Sequence, residues 1–132
     1  MPTNALNPIV ETRAFATVNQ LASQTCSAGQ AFQFVTSNAL AANMTVQQTS
    51  IKVLKDGNYS IFVATPCLNS SHTVAVSKNS VPLISPISGN GCARIIAQCA
   101  SGDLLQLFNV GPGSVTLGAG GGDVYIEIVR VV

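Results

Sequence analysis

Apolar and polar residues alternate along most of this chain in short runs, and the runs are broken at close intervals by glycine, asparagine, aspartate and serine. A period of two places successive side chains on opposite faces of an extended strand. That signal predicts strands over 13–18, 30–35, 44–49, 51–54, 59–65, 73–77, 82–85, 92–99, 104–109, 114–117 and 124–131. The breaks between them include Lys55-Asp56-Gly57-Asn58, Lys78-Asn79-Ser80, Gly89-Asn90-Gly91, Ser101-Gly102-Asp103, Gly111-Pro112-Gly113 and the glycine-rich 118–122. These residue types supply the positive φ angles and side chain–backbone bonds that tight corners need. The one segment with helical character is the alanine-containing stretch 37–43. Ten or so short strands without strand–helix alternation imply an all-β fold: a sandwich, a jelly roll or a barrel.

The final strand is apolar on both faces. Val124, Ile126, Ile128 and Val132 point one way, interrupted by Arg130, while Tyr125, Glu127, Val129 and Val131 point the other. A strand of this kind is covered on both sides, by an opposing sheet and by a second subunit. The first twenty residues differ, with two prolines and scattered apolar positions (Leu6, Ile9, Val10, Phe15, Val18). They are expected to form an extended N-terminal arm, residues 1–20, ahead of one domain over 21–132. A chain end frays unless something ties it down. An extended apolar arm is tied down by adding a strand to a sheet edge or by filling a groove, in its own subunit or the next.

Composition sharpens this picture. Charged residues make up 8 % of the 132 positions, against about 25 % in an ordinary soluble domain. A surface so poor in charge does little to hold its own copies apart. The six basic residues are scattered and the net charge is +1, so the basic stripe that nucleic acid requires is missing. No stretch is apolar over the roughly 20 residues that span a bilayer, and none forms a basic amphipathic helix, so no membrane partner is expected. The opening residues show neither a basic nor an apolar leader region, so no secretory leader is expected.

Candidate chemistry is sparse. His72 is the only histidine, between serines and a strand entrance; a solvated turn accounts for it better than a hydrolytic triad. Asp56, Asp103 and Asp123 each adjoin a glycine, which turn formation explains without a metal. The 118–122 glycines have no following Lys-Ser/Thr and open no helix, so they do not cradle phosphate. No catalytic residue, metal ligand or cofactor is therefore assigned. Cys26, Cys67, Cys92 and Cys99 are candidate disulfide partners, with no Cys-x-x-Cys spacing. Cys92 and Cys99 cannot bond each other within one strand, because seven residues span ~23 Å and a disulfide tolerates at most ~7 Å. Cys67 with Cys92, either of them with Cys26, and free buried thiols all remain open.

Two segments resemble a known family. Ser50-Ile51-Lys52-Val53-Leu54-Lys55-Asp56-Gly57-Asn58-Tyr59-Ser60-Ile61-Phe62-Val63 is similar to the strand, Gly-x-Tyr and long apolar strand of the trimeric jelly rolls related to tumour necrosis factor and complement C1q. Residues 93–109, with the Gly102-Asp103 corner between two strands, resemble the same family, above all its bacterial spore-surface members. The resemblance covers roughly the last two thirds of the chain. It implies an antiparallel jelly-roll sandwich of about 8–10 strands, a homotrimer with apolar faces near the three-fold axis, and a role in exosporium or endospore-appendage structures. The chain departs from two patterns of that group, having no Gly-X-Y collagen run and no cysteine in the arm. The expectation of no secretory leader fits spore-coat material, which is released by lysis of the mother cell; a mature chain numbered from its own start would read the same way.

The expectation is a non-enzymatic, self-assembling structural protein on a spore or other extracellular surface. Its partners are copies of itself, as trimer and polymer, and other spore-surface proteins. Leu6, Ile9, Val10, Phe15, Val18, Tyr125, Glu127 and Val129 are expected to carry the assembly. The alternative is a binding head, of the C1q or phage-decoration type, whose loops meet a ligand. Those loops are poor in aromatics and arginine, the usual hot-spot residues.

Overall fold

The computed structural model describes residues 13–83 and 87–131. Among them are thirteen strands: β1 Phe15–Leu21, β2 Gln24–Cys26, β3 Leu40–Ala42, β4 Met44–Val46, β5 Ile51–Val53, β6 Gly57–Ala64, β7 Thr73–Lys78, β8 Val81–Pro82, β9 Ile87–Ser88, β10 Cys92–Cys99, β11 Leu104–Gly111, β12 Val115–Leu117 and β13 Gly122–Arg130. One sheet runs β10-β6-β13-β1-β3. The second runs β4-β5-β11-β7-β8, with β9 also paired to β7, and β12 pairs β2 as a small third sheet. Every ladder is antiparallel. The architecture is the expected all-β jelly-roll sandwich.

Alternation along the long strands decides which side faces the core. On β13, Val124, Ile126 and Ile128 are buried while Tyr125, Glu127 and Val129 are exposed, as the sequence pattern predicts. Ile61, Val63, Ile126 and Ile128 of the first sheet meet Ile51, Val76, Leu105 and Leu107 of the second. Phe34 from the intervening loop completes this core. The packing closes down to a void of about 10 Å³ lined by both sheets. Tyr59 is also fully enclosed, and its hydroxyl donates to the Lys55 carbonyl at 2.6 Å, so its one polar atom is satisfied inside the core.

Corners form where the chain supplies left-handed residues. Asn79 and Ser80 both have positive φ (51° and 70°) and join β7 to β8 through a two-residue loop. This geometry matches the right-handed twist of the two strands. Gly102, at φ 99°, turns the chain between β10 and β11.

Several expectations are corrected. The stretch 37–43 holds no helix; Leu40–Ala42 is β3, an edge strand recruited by pairing with β1. The predicted strand 30–35 is reduced to isolated bridges, Leu21 to Phe34 and Ala31 to Phe108. Its apolar residues Phe32 and Phe34 still bury in the core. Residues 15–20 of the expected arm belong to β1, which lies between β13 and β3 inside the first sheet. Its ladder to β13 aligns Phe15 with Val129 and Val18 with Ile126, and shifts register between Val18 and Gln20. Val18 is therefore a core residue and not an assembly contact. Leu6, Ile9 and Val10 lie outside the described residues. All four cysteines are free. Cys26 and Cys99 are buried and Cys92 is exposed, so the candidate pairings are not formed.

Candidate assembly interface

The outer face of the β10-β6-β13-β1-β3 sheet is set by register. In an antiparallel ladder, residues directly opposite one another point to the same side. One row across the sheet therefore reads Arg94, Phe62, Glu127, Thr17 and Leu40. The next reads Ile96, Ser60, Val129, Phe15 and Ala42, and a third begins Cys92, Ala64 and Tyr125. Large apolar side chains in these rows are open to solvent: Leu40 is 66 % exposed, Ile96 60 %, Tyr125 53 % and Val129 41 %. Exposed large apolar residues gathered on one face make it the candidate interaction surface among the described residues.

Three of the expected assembly residues on this sheet, Tyr125, Glu127 and Val129, meet on the face, and Phe15 joins them beside Val129. Sequence reasoning missed Phe62, Ile96, Leu40 and Arg94. The alternation Cys92, Arg94, Ile96 within a predicted strand carried the signal for two of them, but which face it lay on was not readable. Arg94 is held in place: its Nη1 donates to Ser60 Oγ at 2.8 Å, and its Cζ lies 5.1 Å from the centre of the Phe62 ring. The guanidinium thus stacks over an aromatic face, a stabilising arrangement, and covers Ser60. Glu127, across Phe62 from Arg94, makes no hydrogen bond or ion pair among the described residues.

The remaining candidate residues are used by turns. Asp103 Oδ2 accepts from the Ala100 amide and its Oδ1 accepts from Asn79 Nδ2, at 2.8 and 2.9 Å. The Ala100 amide, followed by Asn79, holds the Asp103 carboxyl below its ordinary value. Asp56 Oδ1 accepts from the Ser101 amide, and Lys78 Nζ donates to the Gln98 carbonyl. Asp56 and Asp103 line one open cleft with Lys78, but each already serves a neighbouring backbone. Asp123 lies away from them, at the start of β13. Among the described residues no three of His, Cys, Asp and Glu are grouped to hold a metal ion.

His72 and Cys67 line a second cleft with Leu68, Asn69 and residues 114–117. The His72 Nδ1 is buried without a partner, and among the described residues no hydrogen bond joins its ring to a serine or cysteine. Burial pushes the Cys67 thiol up, opposite to what a nucleophile needs.

No family model and no curated protein matches the chain. Its fold does match solved structures. Rabbit GITRL superposes with a TM-score of 0.54 at 17 % identity, covering 90 % of this chain and 94 % of that one. Bushbaby GITRL gives a TM-score of 0.53 at 16 % identity, with 91 % and 97 % covered. Murine APRIL gives 0.60 at 10 % identity, with 91 % and 100 % covered. At these identities the shared property is the fold: a jelly-roll sandwich of the tumour necrosis factor type over nearly the whole chain.

Proposed function

We propose that this chain is a structural subunit that binds copies of itself through the outer face of the β10-β6-β13-β1-β3 sheet. It closes into trimers and polymerises further through residues 1–12. The observation that carries the reading is the set of exposed large apolar residues on that face, Leu40, Ile96, Tyr125 and Val129, in a chain with 8 % charge. Burying such residues is worth about 1.5–3 kcal/mol each, enough for a few of them to hold an interface. The fold shared with the tumour necrosis factor type supports a trimer, and the resemblance of 50–63 and 93–109 to spore-surface jelly rolls supports a place on a bacterial spore or other extracellular surface. Chemistry is assigned no part in this role.

Size-exclusion chromatography with light scattering tests the reading. The full chain should run as a trimer or larger, and Tyr125→Glu with Val129→Lys should give a folded monomer. Deleting residues 1–12 should leave trimers and remove the larger assemblies; filaments from the truncated chain in negative stain would refute the arm's part. A full chain that stays monomeric at high micromolar concentration would refute the role of the face.

A further inference from the structure

Charge is almost absent from the five strands that build the assembly face. β1, β3 and β6 carry none, β10 carries only Arg94, and β13 carries Asp123, Glu127 and Arg130. Two of the four are accounted for at the ends of β13. Arg130 points away from the Glu127 side by alternation and its Nε donates to the Asp56 carbonyl, while Asp123 stands opposite Gln20 beyond the β1 bulge. Of the charges within these strands, that leaves Arg94 and Glu127 in the middle of an apolar surface, in one row, with Phe62 between them. Arg13, just ahead of β1, lies over the Phe15 ring at the margin of the face.

They are separated by two strand spacings, about 10 Å. Arg94 reaches Ser60 and the Phe62 ring, Glu127 has no partner among the described residues, and no ion pair joins the two. A carboxylate without a partner is costly to bury when an apolar face is covered, unless the covering surface brings a cation. The face itself supplies such a cation in the same row: Arg94, two positions from the acid. The other cation on this side, Arg13, lies 5.9 Å from the centre of the Phe15 ring, two rows from Glu127.

We infer that the occupant of this face is a second copy of the chain, oriented so that Arg94 of one subunit pairs with Glu127 of the next, and that this pair fixes the register of the assembly. The inference rests on the self-association reading and adds the residue pair that orients it. Both a two-fold contact and a repeating head-to-tail contact can place opposite charges together in this way. The apolar residues supply affinity without direction, and the pair excludes rotations that would bring Glu127 against Glu127 or Arg94 against Arg94. Arg suits the role because its planar fork binds a carboxylate through two parallel hydrogen bonds while its face stays on Phe62.

Reciprocal charge exchange tests this. Glu127→Arg and Arg94→Glu alone should each weaken assembly at least about tenfold by sedimentation equilibrium. The double variant Arg94→Glu/Glu127→Arg should return it to within about threefold of the original. An equimolar mixture of the two single variants pairs opposite charges wherever the two alternate. It should rescue a two-fold dimer fully and a three-membered ring only in part. Circular dichroism of each variant below its dissociation concentration checks that the subunit still folds. If the unsubstituted chain assembles and the single variants assemble equally well, or the double variant is not rescued, the pairing is overturned and the assembly face stands. If the unsubstituted chain does not assemble, the self-association reading fails and the pairing with it.

Discussion

Asn109 and Cys26 are joined across 83 positions of sequence: the Asn109 Nδ2 donates to the Cys26 carbonyl at 2.9 Å inside the core. The same amide donates to the Gly113 carbonyl at 3.0 Å, and its Oδ1 accepts from the Gly111 amide at 2.9 Å. Asn109 is completely buried. One side chain thus ties the end of β11, the turn after it and β2 into a satisfied polar cluster, and such clusters are costly to break by halves.

Replacing it separates size from hydrogen bonding. Asn109→Ala should cost roughly 3 kcal/mol in urea unfolding, because two carbonyls and an amide lose their partner in the interior. Asn109→Asp keeps the shape but turns the donor into an oxygen facing two carbonyls, so it should cost more than the alanine. An aspartate variant as stable as the original would show that packing alone matters here.

Neighbouring glycines isolate a backbone clash from a φ penalty. Gly120 and Gly121 both have positive φ, 85° and 65°. A Cβ on Gly120 would meet open space, whereas one on Gly121 would overlap the Leu21 carbonyl. Gly120→Ala should therefore cost about 1 kcal/mol, and Gly121→Ala clearly more, read from paired thermal melts.

The cysteines should divide by reactivity. Cys92 is exposed and should be labelled by iodoacetamide in the folded protein, while Cys26 and Cys99 should react only after unfolding. Burial raises the Cys26, Cys67 and Cys99 thiols above their ordinary value of 9.0. A raised folded value means that stability is fully present below the unfolded pKa and is lost as pH climbs from there through the folded values. The melting temperature should fall above about pH 9. Replacing Cys99 by alanine should lower stability at pH 7 but flatten part of that alkaline decline.

Acid acts through Asp103 in the opposite direction. Its folded pKa lies below the ordinary 3.8, so its contribution is present above that value and is lost as pH falls through the lower, folded one. Asp103→Asn should melt earlier than the unsubstituted chain at pH 7, with the gap closing as the pH is taken below about 3. A gap of constant size would mean that the Ala100 and Asn79 contacts do not depend on the charge.

Much of the fold was legible because a period of two is local. The β10 limits, Cys92–Cys99, coincide with the predicted ones, and the burial of Ile126 and Ile128 against the exposure of Tyr125 and Val129 follows the alternation. The failures share a cause. Leu40–Ala42 is a strand because β1 pairs with it, and Phe32 and Phe34 lie in the core without a continuous ladder, each an outcome of distant partners. The strand predicted over 13–18 is present as β1, and within it Val18 alternates with Ala16 on the buried side, opposite Phe15, which is why the two could not both be assembly contacts.

The class of fold, the corners, the shortage of charge and the two-sided apolar character of the last strand follow from residues close together along the chain. Their spacing fixes φ preferences and side-chain direction. Long-range pairing is what brings β10, β6, β13, β1 and β3 side by side. It alone set Arg94, Phe62 and Glu127 in one row and left Leu40, Ile96, Tyr125 and Val129 bare on the same face. Register between strands far apart in sequence is chosen by the packing of the whole core. A surface patch assembled from five strands exists only once that choice is made.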